Sequence, residues 1–192
     1  MKNPIKAKCI VVVMSLTILF NCEPTIDPIR TFVVKKGDHY ASPRMVESLQ
    51  SQTLIFQARF NSSAKYEMEN ASLQSNINKL FGFSDCNSLH HDNSARFGWA
   101  WYHDRLEIYA YCYVNKERKT QFIGAVDIDE YNRYEIQITG SEYVFRLNDE
   151  TPYTVKRGNT CQEGLYYMLW PYFGGEAPAP HDVSIDIKMV SW

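Results

Sequence analysis

The sequence lacks an excess of charge of either sign and lacks any apolar run long enough to cross a membrane. Among 192 residues, lysine and arginine number 20 and aspartate and glutamate 22, a net charge of −2. Because no cationic surplus is available to neutralise a phosphate backbone, we predict no nucleic-acid partner. With 45% hydrophobic and 22% charged residues, the composition also excludes a disordered or collagen-like chain.

The longest apolar run covers residues 9–20 and follows three lysines, Lys2, Lys6 and Lys8. A helix needs about 20 apolar residues to cross a bilayer, so this run is too short to be a membrane span. Its length and its basic start are typical of a secretory signal peptide. We therefore predict an exported protein whose signal peptide covers residues 1–21.

The apolar run ends in Leu19-Phe20-Asn21-Cys22, which resembles the lipobox of bacterial lipoproteins. On this interpretation Cys22 carries the acyl chains, palmitate among them, and more than one chain is enough for stable membrane anchoring. Residues 22–30 then form a short tether. We expect a lipid-anchored protein of the cell envelope, at the outer membrane rather than the inner one. The alternative is that Cys22 merely follows a signal peptide that is cut elsewhere.

Three cysteines remain in the predicted folded domain: Cys86, Cys112 and Cys161. An exported compartment permits a disulfide. Three cysteines allow one bridge and one remaining thiol, and the sequence does not select the pair. The cysteine and histidine spacings match no zinc pattern, so we predict no metal site and no cofactor. A calcium loop near Asp85 and Asp92 stays open, although its spacing is not that of an EF-hand.

Alternation of apolar and polar residues with a period of two predicts β-strands through most of the chain. The clearest cases are residues 53–60, 106–114, 134–138, 143–147 and 183–189. Thr139-Gly140-Ser141 lies between the strands predicted at residues 134–138 and 143–147, and it predicts the turn of a hairpin. We predict a single all-β domain over residues 31–192, an antiparallel β-sandwich of the jelly-roll type with roughly ten to twelve strands.

Residues 42–49 are the one segment that favours a helix. Ser42 is a suitable N-cap, Pro43 is a suitable first helical residue, and the apolar residues that follow share one side. The sequence therefore predicts at most one short helix, of one or two turns.

Two segments carry a more specific signal. They are residues 78–99, which include Asn78-Lys79-Leu80-Phe81-Gly82-Phe83, and residues 169–182, which begin Leu169-Trp170-Pro171-Tyr172. With the aromatic strand 108–113 and the closing strand 183–190, they resemble the concanavalin A-like lectin and glucanase jelly rolls. The chain is similar in particular to laminarinase-like and polysaccharide-lyase jelly rolls, and to their sugar-binding relatives among bacterial surface lipoproteins of the Bacteroidota type. The resemblance implies two bent sheets, the concave one carrying a carbohydrate groove.

The catalytic signatures of those jelly rolls are missing from the sequence. Laminarinase-type hydrolases carry Glu-x-Asp-x-Glu or Glu-x-Asp-x-x-Glu on one strand, and the closest string, Asp127-Ile128-Asp129-Glu130, lacks the first glutamate. Alginate-lyase-type jelly rolls carry a Gln-x-His strand, and Gln121-Phe122-Ile123 lacks the histidine. We therefore favour a non-catalytic glycan-binding protein over a polysaccharide lyase or glycoside hydrolase.

Tyr109, Tyr111 and Tyr113 are the main candidate ligand-binding residues. They alternate with small and apolar residues that we assign to the core, so the three rings share the outer face about 7 Å apart. Tyrosine rings stack on sugar rings, and their hydroxyls find polar partners at a wet surface. Two alternatives are open: a loop covers the rings, or the two faces are exchanged and the tyrosines lie in the core.

Five further residues are candidates with an ordinary role open beside each. Arg96, Trp170 and Tyr172 are candidates for ligand binding, Arg96 through a bidentate contact with the carboxylate of an acidic sugar. His91 and His181 are candidate catalytic bases. The ordinary roles are an ion pair for Arg96, a solvated loop for His91, a structural turn for the segment with Trp170 and Tyr172, and a backbone hydrogen bond for His181. A poly- or oligosaccharide is thus the expected partner, and the remaining alternative is a structural or adhesive lipoprotein without a sugar ligand.

Overall fold

Two antiparallel β-sheets form the fold of this chain. The computed structural model describes residues 29–158 and 160–191, so the predicted signal peptide, Cys22 and most of the predicted tether lie outside the described residues. Two short 3₁₀ turns, Ser62–Ala64 and Ala71–Leu73, are found in these ranges, which contain no helix long and apolar enough to cross a bilayer. The strands of the described part are β1 Arg30–Val34, β2 Ala41–Ser42, β3 Thr53–Phe60, β4 Asn78–Ser84, β5 Ser94–Tyr102, β6 Arg105–Val114, β7 Glu117–Val126, β8 Tyr131–Thr139, β9 Glu142–Leu147, β10 Tyr153–Lys156, β11 Met168–Leu169 and β12 Val183–Ser191.

The strands divide between a seven-stranded sheet, in the order β10-β9-β8-β3-β12-β1-β2, and a five-stranded sheet, in the order β11-β4-β5-β6-β7. Neighbouring strands are antiparallel in both sheets. The predicted all-β antiparallel sandwich with roughly ten to twelve strands is therefore confirmed.

Period-two alternation builds the core between the two sheets. In β3 every second side chain from Leu54 to Phe60 is fully buried, as the alternation in the sequence predicts. Phe56 of this strand lies 5.0 Å from Phe81 and 6.0 Å from Phe97, measured between ring centroids, so it joins one sheet to the other. Full burial of one such side chain contributes about 1.5–3 kcal/mol, and this apolar layer therefore holds the sandwich together.

β8 and β9 form the hairpin that was predicted around Thr139-Gly140-Ser141. Tyr134 pairs with Leu147, and Ile138 pairs with Tyr143 next to the turn. Gly140 has a φ of 52°, a backbone conformation that glycine adopts at little cost. The predicted hairpin is thus confirmed.

Residues 42–49, which could have formed one short helix, are not helical, because this segment pairs with a distant stretch of chain. The Ala41 amide donates to the carbonyl of Pro171, and the Leu49 amide donates to the carbonyl of Tyr166. These backbone groups replace the partners that a helix would supply, and Ser42 becomes the last residue of β2. The segment lies extended beside residues 166–171.

Cys86 and Cys161 form the disulfide, which settles the pairing that the sequence leaves open. Cys112 is a buried free thiol on the core side of β6. Close to the bridge, the guanidinium of Arg157 lies 2.8 Å from the carboxylate of Asp85, and both side chains are fully buried. Together these contacts tie the segment after β10 to the end of β4.

Candidate functional site

The three tyrosines of β6 lie on the outer face of the five-stranded sheet, the face turned away from the core. The residues that alternate with them, Ile108, Ala110 and Cys112, are buried against the other sheet, so the faces are not exchanged. Tyr109 and Tyr113 are half-buried, whereas Tyr111 is only 4% exposed. The row therefore offers two ring surfaces at its ends, and its central ring forms part of the floor.

Arg96 of β5 lies beside the centre of this row, directly opposite Tyr111 in the strand register. Gly82 of β4, its cross-strand neighbour on the other side, leaves room for it. A methyl group at Gly82 would lie 2.5 Å from Cα and 2.7 Å from Cγ of Arg96. Because this position carries only hydrogen, Arg96 can lie this close to β4.

The charge of Arg96 has no counter-ion among the described residues. The residue is 6% exposed, its Nε is buried without a hydrogen-bond partner, and no described carboxylate forms an ion pair with it. Its guanidinium carbon lies 5.5 Å from the centre of the Tyr111 ring, a cation–π contact. Burial lowers the pKa of Arg96, but arginine stays protonated in proteins. Within residues 29–158 and 160–191, Arg96 therefore does not form the ordinary ion pair that was the alternative to ligand binding.

Lys79 of β4 adds a second buried cation to this face. Its ammonium donates to the carbonyl of Gly174 at 2.5 Å and lies 5.0 Å from the centre of the Tyr111 ring. Burial, followed by repulsion from Arg96 and Arg118, lowers the pKa of Lys79 to about 8. Lys79 was not singled out from the sequence, although a lysine inside an otherwise apolar strand is a signal that could have identified it.

Arg118 of β7 is the third cation, and it is exposed opposite Tyr113. A cleft of about 140 Å³ lies between β4 and β7 and is lined by Lys79, Tyr111, Arg118 and Glu176, among others. The Glu176 carboxylate is exposed and forms no ion pair with a described cation. This side of the outer face therefore carries several positive charges that the described carboxylates do not compensate.

Tyr172 closes the same side of the face. It pairs with Lys79 through a backbone bridge, and the Lys79 ammonium lies 5.4 Å from the centre of its ring. The ring stacks on His39 at 5.3 Å and meets the edge of Tyr40 at 4.9 Å. Tyr172 thus joins Arg96 and the tyrosine row, and its ring remains half-buried rather than enclosed.

Glu107 fixes the other end of the row. Its carboxylate accepts hydrogen bonds from the Tyr109 hydroxyl, from Arg105 at 2.8 and 2.9 Å, and from the nearby ring of His103 at 3.1 Å. Burial opposes ionisation, yet these hydrogen bonds lower the pKa of Glu107 below its ordinary value. Phe122, which is 40% exposed, meets Tyr109 edge-on at 5.8 Å. Glu107 and Phe122 both lie on the outer face with Tyr109. The period-two alternation of β6 and β7 could have indicated this from the sequence.

His91 reaches the row, whereas His181 does not. The ring of His91 is exposed and lies 5.1 Å from that of Tyr113. His181 instead has its Nε2 2.9 Å from the carbonyl oxygen of Ser63, in the first 3₁₀ turn. The adjacent Asp182 is engaged by Lys35 at 2.7 Å, so it does not orient the imidazole.

Trp170 also lies apart from the row. Its ring stacks against Phe81 at 4.7 Å and Phe32 at 5.2 Å, and its indole nitrogen donates to the carbonyl of Met45. These contacts place Trp170 against the core, between the two sheets, where its ring faces are already covered.

The described ranges contain no group of three or more His, Cys, Asp or Glu side chains placed to hold a metal ion. Asp85, considered above for calcium, is instead bonded to Arg157 and to the hydroxyl of Tyr143. Residues 127–130, the closest string to a hydrolase motif, form the turn between β7 and β8. The described outer face therefore shows aromatic rings, the cations Arg96, Lys79 and Arg118, and the buried Glu107, which is engaged by Tyr109, Arg105 and His103.

Comparison with known proteins identifies the fold. No family model and no curated protein matches the sequence. The structure is similar to the laminarinase catalytic domain from Thermotoga maritima, with a TM-score of 0.56, 8% identity and coverage of 84% of this chain and 77% of that one. A family 16 endo-glucanase from Bacteroides ovatus gives a TM-score of 0.51, 7% identity and coverage of 85% and 81%.

An alginate lyase from Klebsiella pneumoniae is similar too, with a TM-score of 0.51 and 13% identity. The match covers 70% of this chain but only 56% of the lyase, so the chain spans little more than half of that enzyme's length. At such low identities the likeness concerns architecture. The fold of this protein is the concanavalin A-like jelly roll that its sequence resembles.

Proposed function

We propose that this protein binds a glycan on the outer face of the five-stranded sheet and does not itself cleave it. The observation that carries the proposal is the set of partly exposed rings on that face: Tyr109, Tyr113, Phe122 and Tyr172. They extend from strands or pair with one, so their positions are set by the sheet rather than by a long loop. Rigid aromatic rings that combine an apolar face with a polar edge suit the stacking of sugar rings.

Rigidity of the rings supports this use. Tyr109 is held by its hydrogen bond to Glu107 and by Phe122, and Tyr113 lies between Tyr111 at 6.1 Å and His91 at 5.1 Å. A ring that is already ordered loses little conformational freedom when a ligand binds. Little of the free energy gained by stacking would therefore be offset by the cost of ordering the rings.

The missing carboxylate motif of laminarinase-type hydrolases supports a role without catalysis. A retaining glycosidase uses two carboxyl groups about 5–5.5 Å apart, one of which must donate a proton. Glu107 is the buried glutamate of this face, and its low pKa and its bonds to Tyr109, Arg105 and His103 suit a structural carboxylate. A lyase or hydrolase of an unfamiliar type is the second candidate, and the contact between His91 and Tyr113 is the observation in its favour.

The location proposed for this binding protein is the cell envelope. It rests on the basic, apolar N-terminal segment and on Cys22, whose acylation would hold the jelly roll at a membrane surface. Labelling with a radioactive or alkyne-tagged fatty acid would test the anchor. Incorporation that persists in a Cys22→Ser variant would contradict it.

Affinity gel electrophoresis against a panel of neutral and acidic polysaccharides tests glycan binding. The double variant Tyr109→Ala/Tyr113→Ala should lose at least about tenfold in affinity, equivalent to about 1.4 kcal/mol. Tyr131→Ala is the matched control, because Tyr131 is equally half-buried but lies on the seven-stranded sheet. Full binding by the double variant, with unchanged thermal unfolding, would contradict the proposed surface.

The same panel separates the alternatives. Release of reducing or unsaturated sugar that disappears in His91→Ala would establish an enzyme. Failure to bind or cleave any polysaccharide would favour a structural or adhesive protein without a sugar ligand.

A further inference from the structure

We infer that the glycan is acidic, and that one of its carboxylate or sulfate groups binds among Arg96, Lys79 and Arg118. The inference rests on the proposed function and specifies the chemical class of its ligand. It starts from Arg96, which carries a charge in a buried position without a described ion-pair or hydrogen-bond partner for its side chain.

Arg157, in the same chain, is a buried arginine whose side chain has both an ion pair and hydrogen bonds. Its guanidinium contacts Asp85 at 2.8 and 3.1 Å and donates to the carbonyls of Gly140 and Cys161. Arg96 is equally buried, at 6% exposure for both residues, yet the described residues give its guanidinium a cation–π contact with Tyr111 and no ion pair. A buried charge without a partner is costly to the folded protein, so Arg96 is suited to a partner supplied from outside.

The surroundings of Arg96 reinforce its charge instead of neutralising it. Lys79 is buried close by, and its lowered pKa arises in part from the repulsion of Arg96 and Arg118. His90 lies in range as well, and burial, followed by His91 and Arg96, lowers its pKa, so this imidazole is neutral near pH 7 and supplies no counter-charge. The chain as a whole has a net charge of −2, so this concentration of cations is a local feature and not a result of composition.

The geometry also suits an anion attached to a sugar. The cations lie along the tyrosine row, with Tyr111 beneath Lys79 and Arg96, and with Tyr113 opposite Arg118. Arginine can hold a carboxylate or a sulfate with two parallel hydrogen bonds, which fixes its orientation. A sugar ring stacked on Tyr113 could thus direct its acidic group toward the Arg96 side of the row.

The test uses isothermal titration of the folded domain with three kinds of oligosaccharide: uronate, sulfated and neutral. We expect the acidic ligands to bind at least tenfold more tightly than neutral ones, and the preference between uronate and sulfate identifies the anion. Arg96→Gln should remove at least tenfold of the acidic affinity, and Arg96→Lys should recover part of it. Arg146→Gln, which removes the same charge from the outer face of the seven-stranded sheet, should change nothing.

Each other outcome decides between the two proposals. Binding of neutral glycan that depends on Tyr109 and Tyr113 but is unaffected by Arg96→Gln would overturn the acidic ligand and leave the proposed function standing. Acidic binding that Arg96→Gln and Arg146→Gln weaken equally would overturn it as well, because it would reflect net charge alone. Lack of binding to all three kinds would contradict both proposals.

Discussion

Two buried arginines, Arg96 and Arg157, should respond in opposite ways to replacement by methionine: one substitution should raise the free energy of unfolding and the other should lower it. Arg96 and Arg157 are each 6% exposed, but Arg157 is paired with Asp85 while Arg96 has no described counter-ion. Methionine has a similar length and no charge, so each substitution removes a buried charge and keeps most of the packing volume.

The magnitudes follow from what each substitution leaves behind. Removing an unpaired cation relieves a desolvation penalty of several kcal/mol. The cation–π contact with Tyr111 opposes this gain by about 0.5–2 kcal/mol. We therefore expect Arg96→Met to raise the free energy of unfolding by about 1–3 kcal/mol. Arg157→Met leaves Asp85 buried without its cation and should lower the free energy of unfolding by about 3–5 kcal/mol.

Urea denaturation at pH 7, with the disulfide intact and no glycan present, measures both changes. For a domain of this length, 1 kcal/mol corresponds to about 2–4 °C in melting temperature, so a thermal scan provides an independent check. The matched pair controls for general effects of replacing a long cation by methionine. A decrease in stability of more than about 1 kcal/mol in Arg96→Met would refute the reasoning, since it would mean that the charge of Arg96 is already compensated.

Two further predictions concern Lys79 and the disulfide. Because the pKa of Lys79 is lowered from 10.5 to about 8 in the folded protein, the unfolded chain binds more protons between these values. Stability should therefore rise with pH from about 8 toward 10, and a Lys79→Met variant that shows the same rise in urea denaturation would contradict this assignment. Breaking the Cys86–Cys161 bridge, which closes a separation of 75 residues, should cost about 4.5 kcal/mol in Cys86→Ser/Cys161→Ser. Equal denaturation midpoints for this variant and the oxidised protein would contradict a structural role for the bridge.

The fold could be predicted from the sequence where a strand buries one face. In β3 and β6 every second residue is apolar, which predicts that Phe56 and Ile108 face the core, and both are fully buried. A short helix at residues 42–49 was suggested by local sequence preferences alone, and the segment is not helical. The hydrogen bonds that hold this segment come from residues 166–171, which no local pattern reveals.

The site was only partly predictable, because the neighbours of a strand residue come from other strands. The period of β6 placed Tyr109, Tyr111 and Tyr113 on one face, but it could not show that Lys79 would approach Tyr111. Trp170 looked equivalent to Tyr172 in the sequence, yet Phe32 and Phe81 cover its ring. Such contacts depend on the order β4-β5-β6-β7 and on the docking of the last segments of the chain.

The sequence likewise did not show that Arg96 has no counter-ion among the described residues. A buried arginine on a central strand normally has an ion-pair or hydrogen-bond partner. Here the positions beside it are Gly82 on β4 and Tyr111 on β6, neither of which can neutralise it. Only the three-dimensional neighbours of Arg96 show that it is a buried cation without a described counter-ion.

Chemical-shift mapping with an acidic oligosaccharide tests the account most directly. Amide signals of the ¹⁵N-labelled domain would be followed by NMR while the oligosaccharide is added. We predict saturable changes clustered on β5, β6 and β7 around Arg96, Tyr111 and Arg118, with the seven-stranded sheet unaffected. Changes confined to the seven-stranded sheet, or saturable binding that leaves β5–β7 unchanged, would contradict a glycan site on the outer face of the five-stranded sheet.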